Sequence, residues 1–260
     1  MNSLWLAERR AYIRFHDFPG SEPVLVLLHG LGSASSADFP AVARQSALAK
    51  FRMILPDFLG FGFSDRPADF DYSLEGHAET VYQILHHLGL SNVYLFGHSM
   101  GGAVAVALAA AHPELIRRLV LAEANLDPGV GGGSKMIAAQ SESEYVAEGH
   151  GRFLHGIEQE IRQSPGLASF FGVLKVADPV AVHRSAVGLM RGTVPPQREL
   201  FLSMKIPRAF IYGEHSLGDP DLDTLRAGGV DIFNIPKAGH GMMDDNPEGF
   251  GLALARSFGF

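Results

Sequence analysis

The stretch Val93-Tyr94-Leu95-Phe96-Gly97-His98-Ser99-Met100-Gly101-Gly102, continued by Ala103-Val104-Ala105-Val106-Ala107-Leu108-Ala109-Ala110-Ala111, changes character at a single point. Its first four residues, apolar and rich in β-formers, read as a buried strand, whereas the alanine-rich run from Met100 reads as a helix that must stop before Pro113. Between them, Gly97 and Gly101 stand two residues before and two after Ser99, where a chain doubling back from strand to helix leaves no room for side chains. The Gly-x-Ser-x-Gly pattern alone is a weak signal in a chain with 30 glycines. The strand before it and the helix after it give it meaning. A hydropathy window over Val93–Ala111 also resembles a membrane span, but Gly97-His98-Ser99 breaks it and Gly101-Gly102 follows.

Outward from this point the pattern repeats. Short apolar runs predict strands at Ala11–Phe15, Val24–Leu28, Met53–Leu55, Val93–Phe96, Leu119–Ala122, Ala209–Tyr212 and Asp231–Ile235, with helices such as Leu74–Leu88 and Met100–Ala111 between them. Alternation of this kind predicts an α/β fold with a mostly parallel central sheet and helices on both faces. The rhythm fails after Ala122. Asp127-Pro128-Gly129-Val130-Gly131-Gly132-Gly133-Ser134 reads as a flexible loop without regular structure, and helices are expected at Glu142–Phe153, Ile157–Gln163, Leu167–Val176 and Pro179–Gly188. The organisation expected is a core of residues 1–124 and 205–260 with a helical cap, residues 125–204, inserted between two strands.

Composition narrows the function. The chain has 260 residues, 47% hydrophobic and 19% charged, enough for a sizeable core in one large domain. Twenty-eight acidic side chains oppose 21 Lys and Arg, a formal charge of -7, and no basic run marks a phosphate-binding face, so neither nucleic acid nor a membrane is expected as a partner. With no cysteine, disulfides and thiol chemistry are excluded. No basic, apolar and small-residue succession of a secretory leader is seen at Met1–Glu8, and a cytoplasmic location is expected.

Ser99 at the apex of a strand-to-helix turn is the candidate nucleophile, and the helix beginning at Met100 aims its unsatisfied N–H groups and positive dipole end at charge developing beside it. An oxyanion site then needs two donors. The Met100 N–H is one, and Leu31 N–H, in His29-Gly30-Leu31-Gly32 after an early strand, is the other. His29 itself reads as a brace for that loop. A serine hydroxyl needs a base, and His240 follows the last predicted strand in a loop able to reach across strand ends. His98 is read as a support beside the nucleophile. His86-His87 lack the spacing and carboxylate partner of a metal site, and no metal or organic cofactor is expected.

Four signatures in order, His29-Gly30, Asp57-Phe58-Leu59-Gly60-Phe61-Gly62-Phe63-Ser64, the serine turn, and Ala238-Gly239-His240, give the chain its resemblance to the α/β-hydrolase superfamily, in particular its capped serine-hydrolase branch. The second resembles the Asp-x-x-Gly-x-Gly-x-Ser turn of epoxide hydrolases and haloalkane dehalogenases, which is structural there, so Asp57 is given no catalytic role. Those relatives use an aspartate nucleophile, which Ser99 is not. A common family pattern places the third catalytic member, an aspartate, two residues after Gly213-Glu214, where this chain has Ser216. Serine cannot carry that charge. Some dehalogenases and lactone hydrolases keep the acid at the end of the strand after the nucleophile helix, which here is Glu123; Asp219 and Asp221 are its rivals. The resemblance implies hydrolysis of an ester or lactone through an acyl-enzyme on Ser99, with C–C bond hydrolysis, aminopeptidase activity or a triad-bearing ligand receptor as alternatives. A small-molecule substrate with an apolar acyl or aromatic part is expected, with Phe153, Phe170, Phe171, Phe201, Met136 and Met190 available for an apolar wall.

Overall fold

The computed structural model describes residues 1–216 and 221–260. Eight strands form one sheet: β1 (Asn2–Leu6), β2 (Ala11–Phe18), β3 (Ser21–Leu28), β4 (Phe51–Asp57), β5 (Val93–His98), β6 (Ile116–Ala122), β7 (Arg208–Gly213) and β8 (Asp231–Ile235). Their order is β1-β2-β4-β3-β5-β6-β7-β8. β2 runs antiparallel to both neighbours, and every pairing from β4 to β8 is parallel.

Alternate side chains leave a strand on opposite faces, and here both faces are covered. Val24, Val26 and Leu28 of β3 join one apolar cluster with Val81, Ile84 and Leu85 of one helix and Val104 and Leu108 of another. Leu25 and Leu27, on the other face, join Val42, Phe250, Leu254 and Phe258. After α1 (Ser35–Asp38), the helices involved are α2 (Pro40–Ala43), α3 (Leu74–His87) and α4 (Met100–Ala111) in the first half, and α13 (Pro247–Phe258) at the end of the chain. Local chemistry sets their limits. The Ser73 hydroxyl accepts the Gly76 N–H at 2.9 Å to open α3, and Gly89, at φ 62°, follows its end.

Between β6 and β7 lie α5 (Gly132–Ala138), α6 (Glu142–Glu144), α7 (His150–Glu160), α8 (Leu167–Leu174), α9 (Pro179–Arg191) and α10 (Gln197–Ser203); α11 (Leu222–Ala227) and α12 (Met242–Asp245) flank β8. Two expectations need correction. The glycine run read as irregular contains the start of α5, held because Ile137 is buried on the main core cluster and Lys135 N–H reaches the Gly131 carbonyl at 3.0 Å. The break expected between the helices Glu142–Phe153 and Ile157–Gln163 is absent, since α7 runs unbroken from His150 to Glu160; the irregularity lies earlier, in a five-residue π turn, Tyr145–Gly149, between α6 and α7. Tyr145, fully buried, directs that turn inward. This helical segment is tied to the loop between β4 and α3 by long side chains: Arg184 of α9 donates to the carbonyls of Ala68 and Phe70, and Arg66 donates to Val176 O at 2.7 Å. Among the described residues no helix is long and apolar enough to cross a membrane.

Candidate active site

Ser99 closes β5 and caps α4 with φ 52° and ψ -120°, outside the regions an L-residue prefers. Strain of this kind costs roughly 1–3 kcal/mol and persists only where the surroundings enforce it. They do so by close approach of backbone to backbone. A Cβ at Gly97 would lie 2.3 Å from Gly101 O, and one at Gly101 would lie 2.4 Å from His29 O and 2.5 Å from Leu28 O. Ser99 N–H donates to Ala122 O at 2.9 Å, which fixes the turn to the end of β6.

Glu123 is the next residue after β6 and turns there with φ 46°. Its Oε1 accepts Gly213 N–H at 2.8 Å and the Ser216 hydroxyl at 2.5 Å, while Oε2 lies 3.7 Å from His240 Nδ1. Burial pushes the carboxyl up, but His240, the Ser216 hydroxyl and the Gly213 N–H together outweigh that and hold it below the usual carboxylate range. The Glu123 side chain is 11% exposed and that of His240 59%. The acid is thus held in the protein and the imidazole faces the open side. Asp221, one rival, caps α11, its carboxylate accepting Thr224 N–H at 3.2 Å and the Thr224 hydroxyl at 2.6 Å. Asp219, the other, lies outside the described residues.

His98 supports the His240 loop from the strand that carries Ser99. Its Nε2 donates to His240 O at 2.9 Å, with ring centroids 4.8 Å apart. The carbonyl can only accept, so the proton sits on Nε2. Burial, then the neighbouring His240, lower the pKa of His98 to about 3, which keeps it neutral. His29 is a brace of the same kind: one ring nitrogen donates to Gly30 O at 2.8 Å and the other accepts Phe58 N–H at 3.1 Å. The Asp57 carboxylate accepts from Ser36 N–H, the Ser36 hydroxyl and Phe63 N–H, and so closes its own turn.

A cavity of about 770 Å³ opens over the ends of the strands, lined among others by Leu31, Ser99, Glu123, Asn125 and His240. Met100 follows Ser99 as the first residue of α4, fully buried. Among the described residues neither Leu31 N–H nor Met100 N–H has a hydrogen-bond acceptor. Of the aromatic and Met residues expected along an apolar wall, Phe153 and Phe170 line the cavity; Phe201 is buried in the core instead and Met136 is exposed. Asn125 was not foreseen. The Ser99 hydroxyl donates to its Oδ1 at 3.4 Å, and its Nδ2 donates to Val130 O at 3.1 Å, which fixes the orientation of the amide. Its sequence signal is only its place two residues beyond Glu123, in a loop at the sheet end where ligands meet α/β sheets. Among the described residues no hydrogen bond joins Ser99 to His240; the two share the cavity.

The comparisons with known proteins fit this framework. A family profile described as alpha/beta hydrolase fold matches residues 23–149. Over 106 residues the chain is 42% identical to 2-hydroxymuconate semialdehyde hydrolase from Pseudomonas putida, covering 41% of this chain and 37% of that protein. The match thus spans well under half of that relative's length. A thermophilic esterase from Thermogutta terrifontis superposes with a TM-score of 0.81 at 23% identity, covering 95% of this chain and 93% of the esterase. The enol-lactonase from Burkholderia xenovorans LB400 superposes with a TM-score of 0.82 at 20% identity, covering 99% of each chain. With the parallel order β4-β3-β5-β6-β7-β8 and the serine turn at the end of β5, these likenesses show that the chain has the alpha/beta hydrolase fold.

Proposed function

We propose that this chain is a serine hydrolase that cleaves a carboxylic ester or lactone through an acyl-enzyme on Ser99. One observation carries the reading: the strained serine turn opens into the same cavity as His240, and Glu123, ionised and bonded by Ser216, faces the Nδ1 side of that histidine. The Ser99 hydroxyl rotates from Asn125 toward His240 and attacks the acyl carbon while the imidazole takes its proton. Leu31 and Met100 N–H groups hold the oxyanion, and His240 returns the proton to the departing alkoxide. Water then attacks the acyl-enzyme, losing its proton to His240, which passes it to Ser99 Oγ as the acid product leaves. Glu123 keeps the imidazole oriented and offsets its transient charge. The helices between β6 and β7 serve as a cap, residues 125–204, over a core of 1–124 and 205–260, and both parts line the cavity.

The test is covalent labelling with an activated fluorophosphonate, followed by peptide mapping and turnover of p-nitrophenyl esters. Label on Ser99, lost in Ser99→Ala together with turnover, is the expected result. Label on another residue, or turnover surviving Ser99→Ala, overturns the reading. For the acid, Glu123→Gln is expected to lower kcat by about two to four orders of magnitude. A loss below about tenfold would remove Glu123 from the role. C–C bond hydrolysis is the second reading, favoured by the 42% identity over 106 residues to a relative named for 2-hydroxymuconate semialdehyde. Assay of that compound beside the esters separates the two.

A further inference from the structure

We propose that the cavity discriminates against anionic substrates, so that the ester or lactone cleaved carries no carboxylate. This rests on the serine-hydrolase reading and defines the substrate class of the same site. Among the described residues lining the cavity, Glu123, Asp127 and Asp221 bear carboxylates and Arg198 alone bears a guanidinium.

Arg198 is already engaged by one of those carboxylates. Its Nε lies 2.9 and 3.1 Å from the two Asp127 oxygens and its Nη2 lies 2.6 Å from Oδ2. The Arg198 backbone N–H donates to Leu126 O at 2.9 Å, so the arginine is fixed by main chain and side chain to the loop that bears its partner. An incoming carboxylate would have to displace Asp127 from it. Glu123 is bonded by two uncharged donors, Gly213 N–H and the Ser216 hydroxyl, and the imidazole beside it must be neutral to act as a base. Asp221 is bonded by Thr224. The cavity therefore holds more negative charge than its one cation offsets. Asp221 is exposed and Asp127 is 42% exposed, so solvent screens both in part, whereas Glu123, 11% exposed, is the least screened of the three in a cavity with apolar walls at Ile137, Phe153, Phe170 and Leu174. At a separation of about 7 Å and an effective dielectric near 20, one uncompensated like charge weakens binding on the order of tenfold or more.

The experiment compares p-nitrophenyl butyrate with the p-nitrophenyl monoester of glutaric acid, which adds a carboxylate to an acyl chain of similar length, at low and at high salt. The expected kcat/KM ratio favours the butyrate by about ten- to a hundredfold at low salt and shrinks as salt rises. Asp127→Asn leaves the shape of the loop but releases Arg198, and narrows the ratio by about fivefold or more. Asp221→Ser keeps an acceptor for the Thr224 N–H while removing a charge, and narrows it in the same direction if Asp127→Asn does not fold. Equal kcat/KM for the two esters at low salt overturns the inference, as does a ratio unmoved in the folded variants. If neither ester turns over and the fluorophosphonate leaves Ser99 unlabelled, the serine-hydrolase reading falls, and this inference with it.

Discussion

At the residue scale, the proposed triad divides between two side chains the task that an aspartate would perform in the loop after β7. Glu123 supplies the charge from the end of β6, and Ser216, at the vacated position, donates to it at 2.5 Å. A hydrogen bond to an ionised group contributes about 1.5–3 kcal/mol. Glu123 has a folded pKa below its ordinary value, so its contribution is present above the unfolded pKa and lost as pH falls through the folded one. Ser216→Ala is therefore expected to cost about 1–2 kcal/mol at neutral pH and progressively less in acid. Urea melts of both proteins across that range check it, and a cost independent of pH would show that the bond does not serve the charged form. The positions of Ser99, at the end of β5, and of His240, in the loop after β8, were legible from the strand pattern, and Glu123 was singled out because Ser216 lacks a charge; their catalytic roles are proposals. Asn125 was not, since its contact with Ser99 depends on the left-handed turn at Glu123, which no local pattern of residue types announces.

At the scale of elements, the buried strands declared themselves as unbroken apolar runs, and β8 has the limits read for it, Asp231–Ile235. β1 did not. Of Asn2–Leu6 only Leu6 is buried, so its place depends on pairing with β2 and not on a pattern of its own. Helix α5 escaped because its first residues are glycines, whose poor intrinsic helix formation is overridden by the burial of Ile137. The turn between β5 and α4 is closely constrained by backbone. Gly101→Ala would set a methyl group against the carbonyls of His29 and Leu28, backbone atoms that cannot rotate away. Overpacking of this kind costs about 1–3 kcal/mol or more, and both the melting temperature and Ser99 labelling are expected to fall. Gly89→Ala is the control: nothing lies within 4 Å of its added Cβ, so its cost is confined to the φ of 62°.

At the scale of the whole molecule, three of the five buried histidines among the described residues and the buried Asp38 carry the largest shifts in the response to acid. Burial lowers His29 to about 4 and His77 and His98 to about 3, each from 6.5. Each takes up a proton on unfolding below about pH 6.5, so stability present above that value is lost as pH falls. Asp38 runs the other way. Burial raises it from 3.8 to about 7, so its contribution is present at low pH and lost as pH rises through 7, and it offsets one histidine between those values. A net uptake of about two protons predicts a loss of roughly 3 kcal/mol per pH unit below about pH 6.5. Unfolding free energies measured from pH 7.5 to 5 would show it; a flat profile would refute it. His98 also joins parts of the chain that are remote in sequence, since the strand leading to Ser99 holds the carbonyl of His240. Ser99 and Glu123 terminate two adjacent central strands, and their amides bond to Ala122 and Ile211 across the sheet. The proposed catalytic groups therefore belong to one cooperative unit of unfolding: their slowest-exchanging amides should open only with the sheet, and heat should abolish turnover at the temperature where the sheet melts, not before it.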